Sequence, residues 1–214
     1  MREIAQVLGY IGIGSACLPI SFCAYSIKKC LKNIHWSILL LSVYYFLINV
    51  LSLILFLNKN ILQEKLFNIH HLIELVLLSV FFMRQVKSIL FLKLTVSAIV
   101  VFSILVSALI YSDLFIASSS VFLFSNIVLI IYSIYVVINE YYYSENERLT
   151  QNGTFLIASA VLFYAGVQFY FSLFDLFIRE DSMHVFYYLW PINQLGGIIY
   201  YISFTFGLWK LAKS

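Results

Sequence analysis

Two histidines and a glutamate stand together in "NIHHLIELVLLSVFF" (residues 68–82), a run that is otherwise apolar. On a helix, positions four apart share a face, so His70 stacks one turn above Glu74, with Phe67, Leu78 and Phe81 along the same stripe. His70 is therefore the local partner expected for the carboxylate. A carboxylate deep in hydrocarbon costs roughly 2.5–3.5 kcal/mol on insertion scales, so it normally faces a bundle interior and finds a partner there.

Two kinds of chemistry use such residues. A metal centre needs three or four ligands around one ion, and His70, His71, Glu74, Asp175 and His184 are the candidates of suitable type. HHxxE is not HExxH, however, and no second HxxxH or Ser/His pair joins it. No metal and no cofactor is assigned, and a membrane-embedded metal-dependent hydrolase stays an alternative. The other chemistry is binding: one sheltered carboxylate in a polar chamber that holds a small molecule or a lipid headgroup. Binding, rather than catalysis, is the reading taken.

The elements that must position these residues are set by composition. Hydrophobic residues make up 63% of the 214 and charged residues 11%, with a mean hydropathy of +0.96, against about 45–50% apolar and 25% charged in soluble domains. Seven apolar runs approach the roughly 20 residues that cross a bilayer: 5–26, 36–57, 66–83, 88–111, 115–137, 154–178 and 186–208. They leave no room for a soluble domain, and the longest loop expected is 138–153. Spanning strands would alternate over about ten residues, which "SILLLSVYYFLINVLSLILFL" does not. The expected fold is all-α, a polytopic membrane protein with a single seven-transmembrane-helix bundle over residues 1–214.

The first run is not read as a cleaved signal, because it continues past Pro19 to Tyr25 and ends in the cluster Lys28, Lys29 and Lys32. Its Gly9, Gly12, Gly14, Ser15 and Ala16 suit close helix approach, and Pro19 should free the Ser15 carbonyl and bend the span. Lysine and arginine collect in cytoplasmic loops. Lys28, Lys29, Lys32, Arg84, Lys87, Lys93, Arg148, Lys210 and Lys213 fall on one side, and Arg2, Lys59, Lys65 and Arg179 on the other. That asymmetry puts the amino terminus outside and the carboxyl terminus in the cytoplasm. It also accounts for the net charge of +3 without a basic nucleic-acid surface. No nucleic acid is expected as a partner, and Cys17, Cys23 and Cys30, with no CxxC pair, read as free thiols.

With this orientation several polar residues fall at similar depth. Ser42, Tyr45, Asn49 and Ser52 align on the second span. Ser119, Asn126 and Ser133 repeat every seven residues on the fifth, Tyr164, Gln168 and Asp175 fall together on the sixth, and Asn193, Gly197 and Tyr200 on the seventh beside Gln194. Glu74, Asn49, Asn193 and Gln194 come about eight residues, roughly 12 Å, from the outer surface, with Gln168 and Asn126 slightly deeper. The candidate ligand-binding set is Glu74, His70, Asn49, Tyr45, Asn126, Gln168, Tyr164, Asn193 and Gln194, a layer in the outer half in which amides from several helices meet one carboxylate. Interhelical glue is the plainer use of such amides.

Among functions, a retinal pigment is ruled out because the last span has no lysine before Lys210. A small-solute transporter built as three helices, a linker helix and three helices is the runner-up to a sensor or signalling subunit, and a pore-forming effector also suits so small an all-membrane chain. Loops this short hold no output domain, so a sensor needs a cytoplasmic or membrane protein partner, besides the lipid bilayer and a homo-oligomeric contact.

"NIHHLIELVLLSVFF", "TFLIASAVLFYAGVQFYFSLF" and "LWPINQLGGIIYYISFTFGLWK" together resemble a set of uncharacterised seven-span integral membrane proteins of low-GC, Bacteroidetes-type bacteria. Glu74, Tyr164, Trp190 and Asn193 occupy the matching places. The resemblance covers the third, sixth and seventh spans and implies a multi-pass protein of a bacterial inner membrane, with no activity attached. A second acidic residue is expected in the fifth span, where this chain has Ser125 and Asn126.

Overall fold

A computed structural model describes residues 2–57, 62–86, 89–111, 119–143, 149–178 and 183–213. Among them every regular element is helical and there is no strand, as long apolar runs require when each backbone N–H must be satisfied inside its own segment. Each of the seven apolar runs carries a helix. The first is divided into α1 (Arg2–Ser15) and α2 (Leu18–Tyr25). The others are α4 (Trp36–Leu57), α5 (Leu62–Gln85), α6 (Ile89–Tyr111), α7 (Ser119–Tyr143), α8 (Gly153–Ile178) and α9 (Met183–Leu211).

The division of the first run falls where Pro19 cannot donate to the Ser15 carbonyl. Ala16 and Cys17 leave the helix there, the Cys17 N–H turning back to the Gly14 carbonyl at 3.1 Å and Ser15 Oγ donating to the Gly12 carbonyl at 2.7 Å. Two features were not expected. A short helix, α3 (Ile27–Asn33), carries the lysine cluster, and α7 continues past residue 137 to Tyr143, so much of the expected 138–153 loop is helix. Residues 115–118 of the fifth run lie outside the described set.

Three stretches among the described residues are long and apolar enough to cross a membrane: Val7–Tyr25, Phe122–Tyr142 and Gly153–Phe174, of 19, 21 and 22 residues. On α7 the buried face is Ser125, Asn126, Leu129, Tyr132, Ser133 and Val136, whereas Ile127, Ile131, Ile134 and Ile138 are exposed. Hydroxyls and an amide point inward and branched aliphatics outward, the reverse of a helix on a water-soluble surface. Exposed Leu40, Leu47, Leu51 and Ile54 repeat the pattern on α4. These surfaces suit lipid.

Packing closes the helices into a ring. In order around it, α4 lies against α5, α5 against α7, α7 against α8, α8 against α9, α9 against α1 and α2, and α2 against α4. The seam between α5 and α7 is covered by α6, which buries Phe91, Thr95 and Phe102 and leaves Leu90, Leu94, Val101 and Ile104 exposed.

One end of the bundle is tied by named contacts. Asn33 Nδ2 donates to the Ala212 carbonyl at 3.1 Å. Asn152 caps α8, its Oδ1 accepting the Phe155 N–H at 3.0 Å, while its Nδ2 donates to Glu140 Oε2 on α7 at 2.7 Å. His35 Nδ1 meets Ser37 Oγ at 2.8 Å, and its imidazole is held below the usual value by burial and then by the Arg84 charge. Close to this end α8 crosses α9 at two glycines. A Cβ on Gly153 would stand 2.6 Å from Leu211 Cγ and 2.7 Å from the Gly207 carbonyl oxygen, and one on Gly207 would stand 2.6 Å from Ile157 Cγ1.

Candidate functional site

Glu74 lies midway along α5, on the face turned to the ring's interior, and is 1% exposed. The apolar run is read from position 66, and the helix begins earlier, at Leu62. Tyr45 reaches it from α4. The Tyr45 hydroxyl donates to Glu74 Oε1 at 2.5 Å and stands 2.5 Å from the Tyr200 hydroxyl of α9. Because Tyr45 spends its proton on the carboxylate, Tyr200 supplies the proton of the second bond. The chain of hydrogen bonds runs from Tyr200 to Tyr45 to Glu74.

Aromatic rings hold these phenols in place. Tyr45 meets Tyr200, Tyr201 and Phe204 edge-on at centroid distances of 5.8, 5.4 and 6.0 Å. From α8, Tyr164 stacks on Tyr200 at 4.5 Å with 16° between planes. Asn49, one turn along α4, donates to the Tyr45 carbonyl at 2.8 Å and to the Tyr201 hydroxyl at 3.2 Å. Phenols from three elements, α4, α8 and α9, thus gather beside the carboxylate of α5.

The other carboxylate oxygen faces histidines. His71 Nδ1 is 3.7 Å and His70 Nε2 3.9 Å from Glu74 Oε2, both beyond hydrogen-bond length. His70 is thus within ion-pair distance of Glu74, as the four-residue spacing predicts, without a hydrogen bond to it. Its Nδ1 instead meets the Tyr44 hydroxyl at 3.1 Å, with the rings stacked at 5.5 Å, because Tyr44 on α4 offers a better aligned partner than a residue of the same helix. The His71 ring lies edge-on to Phe122 of α7 at 4.4 Å, and its Nδ1 is buried without a hydrogen-bond partner.

Against protein-family models, curated proteins and solved structures, nothing matches. The site is read on its own chemistry.

Of the nine candidate residues, Glu74, His70, Tyr45 and Asn49 belong to this network, with Tyr164 stacked on it and Gln168 beside the Tyr164 hydroxyl. Asn126 is buried one turn from Phe122, and its Nδ2 has no partner. Asn193 Oδ1 is likewise buried without one. Gln194 turns to the first span, its Oε1 2.9 Å from where a Cβ on Gly12 would stand. The hydrogen bond found at the carboxylate comes from a phenol, Tyr45. Sequence reasoning passed over Tyr44 and Tyr201 and gave Tyr200 no role. The available signal was the Tyr-Tyr pair, present at 44–45 and 200–201 within apolar runs rather than at their ends.

The side chains of Asp175 and His184 lie outside the described residues. Among the described residues no group of three His, Cys, Asp or Glu is arranged to hold a metal ion. The separations of 3.7 and 3.9 Å exceed the spacing of about 3.3 Å between two donors on a tetrahedral zinc bonded at 2.0–2.1 Å. What the arrangement offers is a buried carboxyl group, held at Oε1 by a phenol, with two imidazole nitrogens 3.7 and 3.9 Å from Oε2.

Proposed function

We propose that this chain is a seven-span protein of a bacterial inner membrane, amino terminus outside and carboxyl terminus in the cytoplasm, that binds a small molecule or lipid headgroup at Glu74. The observation that carries the reading is a carboxyl group that is 1% exposed, with the buried and unpartnered Nδ1 of His71 3.7 Å from its Oε2. Packing alone would favour an apolar side chain at this position, given the cost of a carboxylate in hydrocarbon. Support for the topology comes from the match of helices to the seven apolar runs and from the contact of Asn33 with Ala212 at the lysine-bearing end. The resemblance to seven-span proteins of Bacteroidetes-type bacteria supports the compartment. A protein partner would read the helix motion that accompanies binding.

Native mass spectrometry of the purified chain tests this. The wild type should retain a small molecule or lipid through detergent washing, and Glu74→Gln should lose most of it. Equal retention in both would overturn the reading.

A second reading, solute transport, draws on one observation: Glu74 is a buried carboxyl group inside a helix bundle, the kind of residue that marks substrate and ion pathways. Flux into proteoliposomes that vanishes in Glu74→Gln would move the conclusion to transport.

A further inference from the structure

We infer that the lysine-bearing end of the bundle docks the headgroup of an anionic phospholipid, held by Lys28 and Lys32 of α3 together with Lys210 and Lys213 at the end of α9. This site is separate from Glu74 and does not depend on the function proposed for that carboxyl group. Three observations carry it.

The first is that α3 has two faces at the membrane surface. Cys30 and the capping residue Ile34, four positions apart, are 2% and 5% exposed and hold the helix to the bundle. Lys28 and Lys32, also four apart and so on one face of their own, are exposed. Tyr25, which ends the Val7–Tyr25 stretch just before α3, is 91% exposed, and Trp36, which opens α4 just after it, is 57% exposed. Aromatic rings at the ends of apolar spans sit at headgroup level. The lysines between them share that level.

The second is that another element brings two more ammonium groups to the same place. Asn33, next to Lys32, donates at 3.1 Å to the carbonyl of the peptide unit that joins Ala212 to Lys213. The exposed Lys32 and Lys213 thus flank one contact. The Lys213 N–H returns to the Lys210 carbonyl at 3.0 Å, and the Nζ atoms of Lys210 and Lys213 stand 4.9 and 3.9 Å from the Trp209 ring centroid. These cation–π contacts restrict both side chains before any anion arrives, which lowers the ordering cost of binding one.

The third is charge without a counter-charge. Among the described residues no carboxylate is within ion-pair distance of Lys28, Lys32, Lys210 or Lys213, the ion pairs there being those of Glu74 with its two histidines. Glu140, the acidic side chain described at this end, has its Oε2 engaged by Asn152 at 2.7 Å. A headgroup of net negative charge complements such a cluster, as basic segments next to membrane spans attract anionic lipid. A zwitterionic headgroup would set its own cation against the lysines. An acidic protein would have to enter the headgroup layer, where lipid already is.

Thermal unfolding of the full chain in mixed micelles of phosphatidylglycerol or phosphatidylcholine, with matched acyl chains, tests this. Phosphatidylglycerol should give the higher unfolding temperature, by about 2–4 °C or more. Raising the salt from about 0.1 to about 1 M, which shortens the screening length from about 10 to about 3 Å, should erase most of the difference. The triple variant Lys28→Gln, Lys32→Gln, Lys213→Gln should lose it. The same three positions changed to Arg should keep it, as should Lys93→Gln, which removes an exposed lysine of α6. If the glutamine triple does not fold, Lys213→Gln alone and the salt dependence decide. Equal unfolding temperatures in the two lipids overturn the inference, and so does a difference that survives high salt or the glutamine variant. Equal stabilisation of the chain in phosphatidylcholine by soluble glycerol phosphate or by polyglutamate also overturns it, and assigns the lysines to a soluble anion or to an acidic protein.

Discussion

Tyr45→Phe is expected to destabilise the purified protein by about 1.5–3 kcal/mol, the range for a hydrogen bond to a charged group, in denaturant titrations from mixed micelles. Ordinary interhelical hydrogen bonds in membrane bundles average only about 0.6 kcal/mol, because the unfolded chain in the membrane finds other partners. Here the acceptor is a carboxylate that is 1% exposed, and removing the hydroxyl strips Oε1 of its donor and Tyr200 of its acceptor in one step. Tyr45→Ala should cost more, about 3–5 kcal/mol, since it also removes the ring that Tyr200, Tyr201 and Phe204 contact edge-on. Tyr45→Phe at wild-type stability would mean that the bond contributes no more than a surface contact, and the carboxylate would then owe its burial to something else.

A matched pair of glycine substitutions in α8 carries the second large effect. Gly153→Ala should destabilise by about 1–3 kcal/mol, as overpacking does, since its Cβ would stand 2.7 Å from the Gly207 carbonyl oxygen and from the Leu211 nitrogen. Those are backbone atoms, which cannot yield as a side-chain tip can, so α8 and α9 must separate. Gly166→Ala, in the same helix with nothing within 4 Å of the added methyl, should instead stabilise by about 0.4–1 kcal/mol by restricting the unfolded chain. Equal effects at the two sites would mean that helix propensity alone decides both. A destabilised Gly153→Ala should also loosen the stack of Tyr164 on Tyr200, because both rings belong to the helices that the glycines bring together.

The helices were legible because an apolar run of about 20 residues has few alternatives, and the bend of the first followed from the missing N–H of Pro19. Burial of Glu74 was legible from the cost of its charge. Its partners were not, for two physical reasons. Helical periodicity gives the direction of a side chain, not which of two flanking helices it meets; Gln194 therefore faces Gly12 of α1 rather than the carboxylate. Tyrosine in a membrane chain is ordinarily an interfacial anchor, as the exposed Tyr141 and Tyr142 are here, so phenols deep in the bundle were passed over in favour of amides. The start of α5 was misplaced because "LQEKLFN", polar at its head, reads as loop. The short α3 left no hydropathy signal.

Cysteine accessibility tests most directly whether the carboxylate sits in a chamber that opens outward. In a chain with Cys17, Cys23 and Cys30 replaced, His70→Cys, His71→Cys and Glu74→Cys are each treated with a membrane-impermeant, positively charged thiol reagent applied to one face at a time, with the exposed Ile69 changed to Cys as the lipid-facing control. Modification from the outer face alone, fastest at position 70 and slowest at 74, is the predicted result. Modification of Glu74→Cys from the cytoplasmic face, or only by a lipid-soluble reagent that also reaches Ile69→Cys, would contradict it.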